Sequence, residues 1–221
     1  MRKVRVLGAA GLAVILTAAV GCGPKVKVSR AEVDAVTAEL GRAVDVNRLT
    51  PEEREPFAEF CRLVALARKY DEAQVAGKVT DDEVVRDTQP IVDAIAAKGP
   101  AAEALMIRIL EGRKRLDTED RGRMASGENP EIYATVILWT LKSRRAVPLL
   151  SELARDSAIM QREVFIHALG RIGDPQALAF LTELTQTSKE PAILQEAHQA
   201  IAAIRKKQEE TRKAWEKKAG G

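Results

Sequence analysis

Two histidines, His167 and His198, are the side chains of this sequence best suited to bind a metal ion. They stand 31 residues apart, close to the length of a repeat in the same region. The apolar helix positions there align at 32 residues, which places Gln199 rather than His198 opposite His167. Because no cysteine pair and no His-x-x-x-His spacing accompanies them, we expect surface or groove histidines, with no metal and no cofactor.

Three consecutive carboxylates, Asp81, Asp82 and Glu83, are the candidates for acid–base chemistry. They directly follow Thr80, and a hydroxyl followed by acidic residues is typical of a helix N-terminus. The sequence has no nucleophile elbow, phosphate-binding loop, dinucleotide fingerprint or zinc-protease motif. We therefore interpret the cluster as a helix start and expect no enzyme activity.

The chain has two thiols, Cys22 and Cys61. Cys61 lies between Phe57 and Val64 at helical spacing with apolar neighbours, which predicts a buried structural thiol. Cys22 has different surroundings, because it ends the N-terminal leader.

The leader begins with Arg2, Lys3 and Arg5 and continues with an apolar stretch over residues 6–20. A helix of that length rises about 22 Å, which is less than the roughly 30 Å hydrocarbon core of a bilayer. A charged start, a short apolar middle and a small-residue end predict a secretory signal peptide over residues 1–21.

The end of the leader, Ala19-Val20-Gly21-Cys22, resembles the bacterial lipobox. The resemblance implies that Cys22 is the first mature residue and carries acyl chains such as palmitate, which would attach the protein to a membrane. Ala19 departs from the usual leucine, and ordinary secretory cleavage is the alternative. Residues 22–28 would be a tether. Gly23 resembles outer-membrane sorting signals, which implies the periplasmic face of the outer membrane in a cell with two membranes.

The excess of positive charge belongs to the leader. The whole chain has 35 basic and 32 acidic residues. The leader holds three of the basic residues and no acidic one, so the mature chain has 32 of each. A neutral exported chain is not expected to bind nucleic acid.

Helical periodicity indicates an N-terminal helical region over residues 29–98. Ser29, Thr50 and Thr80 stand where N-caps are expected, each before an apolar pattern of three-to-four spacing. Pro90 should kink or divide the third of these segments.

An internal repeat distinguishes residues 99–205. Ile137–Leu141 and Ala168–Ile172 align at an offset of 31 residues, and Ala200–Ile204 matches as a further copy. A polar insertion over residues 111–129 interrupts this region. The remaining residues, 206–221, predict a charged tail that is either helical or disordered.

The best-formed copy, Ala168-Leu169-Gly170-x-Ile172-Gly173-Asp174-Pro175, resembles the HEAT-like repeat first described in phycobilisome lyases. In this motif Gly170 admits a close helix contact, Gly173 ends a helix in the left-handed conformation, and Asp174 and Pro175 start the next helix. Another copy replaces Gly-Asp-Pro by Lys142-Ser143-Arg144. The resemblance implies an all-α fold, a short α-α superhelix, which we expect the N-terminal helices to cap.

Binding sites in such solenoids are usually formed by the second helix of each repeat. The residues that would form this polar stripe are Thr140, Glu163, His167, Arg171, Gln195 and Gln199. We expect a lipid-anchored scaffold for protein–protein interaction in the bacterial cell envelope, with unidentified protein partners. The alternatives are an accessory or assembly subunit of an envelope machine and, by resemblance alone, a cofactor-handling protein or lyase-like enzyme.

Overall fold

The computed structural model describes residues 26–117, 130–156 and 162–219, and these residues form packed helices without a β-strand. The all-α prediction is confirmed. Cys22, the leader and residues 118–129 of the insertion lie outside the described residues. Two compact units are present, the first ending at Ile137 and the second beginning at Leu138. The α-helices are α1 (Arg30–Ala43), α2 (Pro51–Val75), α3 (Asp81–Ala96), α4 (Pro100–Asp117), α5 (Pro130–Thr140), α6 (Val147–Arg155), α7 (Arg162–Ile172), α8 (Ala177–Thr187) and α9 (Pro191–Ala219).

Helix α2 is the centre of the first unit and packs against α1, α3 and α4. It is enclosed on more than one face, because Cys61 and all of residues 63–67 are buried. An ordinary surface helix would bury one stripe only. Phe60 and Tyr70 are also fully buried and supply the largest apolar area of this core.

The predicted helix starts of the first unit are confirmed. Ser29 accepts a hydrogen bond from the backbone N–H of Glu32, and Glu32 in turn accepts one from the N–H of Ser29. Thr80 and Glu83 make the same reciprocal pair at the start of α3. The carboxylate of Glu83 therefore satisfies a backbone donor, as expected for a helix N-terminus.

Pro90 does not divide α3, which is continuous from Asp81 to Ala96. The missing N–H of Pro90 leaves the carbonyl of Arg86 without its helical donor. Both residues are exposed, so water can replace that donor, and buried Val92 and Ile95 hold the second half of the helix in the core. The alternative of division was wrong.

Helices α1 and α4 approach each other at Gly112. A methyl group at this position would lie 2.0 Å from the carbonyl oxygen of Ala43, the last residue of α1. Beside this contact Arg113 forms ion pairs with Glu39 of α1 and Glu131 of α5. A residue with a side chain at position 112 would force the two helices apart.

The second unit has two layers of helices. Helices α6 and α8 pack side by side in one layer, and α7 and α9 pack side by side in the other. Each pair α6–α7 and α8–α9 is also in contact, so these are two stacked helix hairpins. This is the repeat arrangement expected of a solenoid, in which neighbouring hairpins bury each other's apolar faces.

Two predicted segment boundaries lie inside helices. Helix α4 continues through the start of the predicted insertion as far as Asp117. Helix α9 continues through most of the predicted charged tail as far as Ala219, so the helical alternative holds for the described part of the tail. Its last buried residue is Ile204, and Trp215 is 69% exposed. Within the described residues no helix is long and apolar enough to cross a membrane.

Candidate functional site

The loop after α7 has the conformation that the motif predicts at Gly173 but not at the start of the next helix. Gly173 has a φ of +71°, in the left-handed region, and closes the helix. The side chain of Asp174 accepts a hydrogen bond from the backbone N–H of Gln176. Asp174, Pro175 and Gln176 form a turn before α8, which begins at Ala177 with Gln176 at the N-cap position. The prediction that Asp174 and Pro175 start this helix was wrong, because the helix begins two residues after Pro175.

The divergent copy of the motif makes the same turn with different residues. Lys142, which aligns with Gly173, has a φ of 55°. Ser143, which aligns with Asp174, accepts a hydrogen bond from the N–H of Ala146. The left-handed conformation costs a residue with a side chain about 1–2 kcal/mol. The geometry of the repeat is therefore retained at Lys142 despite this cost.

Gly170 allows α7 and α9 to pack closely, as the motif predicts. A Cβ atom there would lie 2.8 Å from the Cα of Ala200 and 3.0 Å from its Cβ. Real Cβ atoms essentially never approach other atoms this closely, so a residue with a side chain would not fit at position 170. The contact between Gly170 and Ala200 therefore sets the position of α7 along α9.

His167 lies at the centre of this layer and is held on two sides. Its ring meets Trp139 of α5 edge-on, with the ring centroids 5.4 Å apart and the planes at 66°. Its Nδ1 atom lies 3.3 Å from the carboxylate Oε2 of Glu196 on α9. The side chain of His167 remains 25% exposed, and that of Glu196 is 10% exposed. His167 thus connects α7 with α5 and α9 while remaining partly exposed.

The sequence alignment placed Gln199 opposite His167, and the structure places Glu196 there, one helical turn earlier. Glu196 and Trp139 were both missed as site residues. Glu196 did carry a signal, because it lies three residues after Ile193 and four before Ala200, on the apolar face of α9. A carboxylate on an apolar stripe needs a polar partner.

The six residues of the predicted polar stripe are all accessible. Thr140, Glu163 and His167 are half-buried, whereas Arg171, Gln195 and Gln199 are exposed. The i, i+4 spacing puts Glu163, His167 and Arg171 on one line of α7. His198, the other histidine, is exposed.

A cluster of positive charge lies at the C-terminal end of α7. Lys142 Nζ donates a hydrogen bond of 2.7 Å to the carbonyl of Arg171. Lys207 Nζ donates one of 2.8 Å to the carbonyl of Ile172. Partial burial of the ammonium, together with the charges of Arg171 and Lys207, lowers the pKa of Lys142. We call Lys142, Arg171 and Lys207 the cation cluster.

Two other places in the described part of the chain offer less chemistry. A cavity of about 270 Å³ lies beside α6 and α8, and both of its arginines are engaged. Arg155 stacks over the ring of Phe180, and Arg162 forms an ion pair with Glu190. Cys61 is fully buried, as predicted, and burial raises the pKa of its thiol to about 11. Among the described residues no group of His, Cys, Asp and Glu side chains is arranged to hold a metal ion.

Comparison with known proteins gives one match. Residues 123–202 match the family model for HEAT repeats, a narrower range than the region over which the repeat was recognised in the sequence. No curated protein and no solved structure matches the chain. The match covers α5 to α8 and the start of α9, and it includes His167, Lys142 and Arg171 but ends before Lys207. The chain therefore carries HEAT-like repeats, in an all-α, solenoid-like fold.

Proposed function

We propose that this protein is a lipid-anchored scaffold that binds other proteins through its HEAT-like repeats at the bacterial cell envelope. Its role is binding rather than catalysis, and the binding surface is the layer formed by α7 and α9. The observation that carries this proposal is the HEAT-repeat match over residues 123–202, because such repeats generally serve as protein-interaction scaffolds.

The side chains of this layer are suited to binding. His167 is positioned by Trp139 and Glu196, so little conformational entropy is lost when a partner contacts it. Arg171 and Gln199 are exposed on neighbouring helices of the same layer. The partly exposed imidazole ring of His167, with polar side chains around it, is typical of an interaction surface.

Site-specific photo-crosslinking in living cells tests the binding surface. A photoreactive amino acid in place of Gln199 should give a defined adduct with another protein. The same substitution at Gln186, an exposed glutamine of α8 in the other layer, is the matched control and should not. Adducts of equal yield from both positions, or from Gln186 alone, would contradict the assignment of the binding surface.

Once crosslinking has identified the partner, co-purification of the two proteins without a crosslink distinguishes the scaffold from the alternative of an accessory subunit. A subunit of an envelope machine should co-purify with the captured protein in constant stoichiometry. A scaffold that binds transiently should instead lose its partner on dilution, because most differences in affinity reside in the dissociation rate.

The lipid anchor is proposed from Cys22 and the lipobox-like residues before it. Labelled palmitate should be incorporated into the wild-type chain and not into Cys22→Ser. The matched control is Cys61→Ser, which should keep the label because the buried thiol is not the acceptor. Label that persists in Cys22→Ser would refute the anchor while leaving the scaffold role open.

A further inference from the structure

The cation cluster concentrates three positive charges where the fold needs fewer. The C-terminal carbonyls of a helix carry the equivalent of about half a negative charge, and one nearby cation stabilises them by about 0.3–1 kcal/mol. Here Lys142 and Lys207 bind consecutive carbonyls, those of Arg171 and Ile172, and the side chain of Arg171 adds a third charge. Helix capping accounts for one of these cations and leaves an excess.

The excess is not neutralised within the part of the chain that the structure describes. No ion pair with a carboxylate involves Lys142, Arg171 or Lys207 there, although many other cations of the chain are paired. Asp174 lies in the adjacent loop, but its carboxylate is paired with Arg144 at 3.4 Å. Partial burial of the Lys142 ammonium lowers its pKa, and repulsion by Arg171 and Lys207 lowers the pKa further.

The donors of the cluster are held in place but only partly used. Each lysine ammonium has three N–H donors and gives one to a backbone carbonyl. The methylenes of Lys207 lie against Gly173, where a Cβ atom would be 2.6 Å from Cδ, so this long side chain is confined. All three cationic residues are exposed. Oriented N–H donors that carry an unmatched positive charge form a binding site for anionic oxygens, which accept hydrogen bonds from them.

We propose that the cation cluster of Lys142, Arg171 and Lys207 binds an acidic segment of the protein partner, through Asp or Glu carboxylates. This proposal rests on the proposed scaffold function and names the chemistry of its ligand. The partner lies along α7, because Arg171, His167 and Glu163 follow one another at four-residue spacing on one face of that helix. Carboxylates at the Arg171 end and a neutral or basic residue at the Glu163 end would complement this line.

The direct test is a titration of the full chain in detergent with fluorescein-labelled hexaglutamate, followed by fluorescence anisotropy at low salt. Hexaglutamine is the control peptide. Glutamine substitutions remove the charges and retain an N–H donor on each side chain. The cluster variant combines Lys142→Gln, Arg171→Gln and Lys207→Gln. The matched control removes three exposed cations of α9 by Arg212→Gln, Lys213→Gln and Lys217→Gln.

The cluster variant should bind hexaglutamate about tenfold more weakly, as expected for the loss of three solvent-exposed charge pairs. The control variant carries the same change of net charge and should bind like the wild type. Equal loss in the two variants would show non-specific attraction and overturn the proposal. So would binding of phosphatidylglycerol vesicles through the cluster without binding of hexaglutamate, which would identify a lipid headgroup as the ligand.

A measurement on the unmodified chain guards against misfolding of the variants. Saturating hexaglutamate should protect Lys142 and Lys207 from acetylation and leave Lys217 reactive. Uniform protection of the three lysines would also overturn the proposal. The scaffold role is judged separately, because crosslinking from Gln199 does not depend on the charge of the ligand. Crosslinking that succeeds while hexaglutamate fails to bind would reject the acidic segment alone.

Discussion

The contact between Gly112 and Ala43 makes a sharp prediction for the first unit. In Gly112→Ala the new methyl carbon would lie 2.0 Å from the carbonyl oxygen of Ala43. Carbon and carbonyl oxygen approach without strain to about 3.3 Å, so α1 and α4 must separate by more than about 1 Å. A gap of 0.5–1 Å already removes roughly a quarter to a half of the dispersion energy of the contacts across it.

These effects give a net destabilisation of about 2 kcal/mol. Overpacking of this kind costs about 1–3 kcal/mol and occasionally more, and a contact with rigid backbone belongs at the upper end. Alanine regains up to about 1 kcal/mol of helix propensity over glycine. For a chain of this size a loss of about 2 kcal/mol corresponds to a fall of roughly 4–8 °C in Tm.

The assay is urea and thermal unfolding followed by circular dichroism, with Gly41→Ala as the control. Gly41 lies in α1, and a methyl group there would meet only the Cγ2 atom of Val46, 3.0 Å away at the end of a side chain that can move. This variant should be at least as stable as the wild type, by up to about 1 kcal/mol, because the gain in helix propensity is not offset by a contact with backbone. Coinciding unfolding midpoints of the two variants, or a stabilised Gly112→Ala, would refute the reasoning.

Three further predictions concern burial, charge and backbone conformation. Burial raises the pKa of Cys61 to about 11, so the thiolate fraction at about pH 8 is near one in a thousand. Iodoacetamide should therefore label the peptide carrying Cys61 far more slowly in the folded chain than in urea, and equal rates would contradict the burial. Arg113→Ala leaves the almost fully buried carboxylate of Glu131 without its cation and should cost about 3 kcal/mol in a urea titration, whereas Arg212→Ala, whose side chain is 59% exposed, should cost less than about 0.5 kcal/mol. Gly173→Ala should lower the unfolding free energy by more than Gly77→Ala. Both glycines have positive φ, but only at position 173 would a methyl group meet a side chain, that of Lys207 at 2.6 Å. The reverse order of stability in thermal unfolding would disprove this.

Much of the fold was predictable because its signals are local. The caps at Ser29 and Thr80 involve a hydroxyl and a backbone donor three residues apart, so four consecutive residues determine them. The left-handed Gly173 and the close contact at Gly170 followed from a short motif in the same way. The all-α class followed from apolar periodicity, which reports which face of each helix is buried.

The site was only partly predictable. His167, Arg171 and Gln199 were identified from spacing within and between repeats, and the structure leaves all three accessible. The partners of His167 were not identified, because they depend on how far α7 is shifted along α9. Packing of Gly170 against Ala200 sets that shift, and apolar spacing alone is compatible with an offset one turn away.

The sequence by itself determined the all-α class, the caps at Ser29 and Thr80 and the repeat, whereas the leader with its Cys22 stays a prediction. Tertiary structure alone decided that Glu196 meets His167 and that Lys142 and Lys207 converge on the end of α7. The physical reason is the range of the interactions. A cap or a helical period is set by residues within one or two turns, whereas the Lys207 contact joins residues 35 apart through the summed packing of two helices.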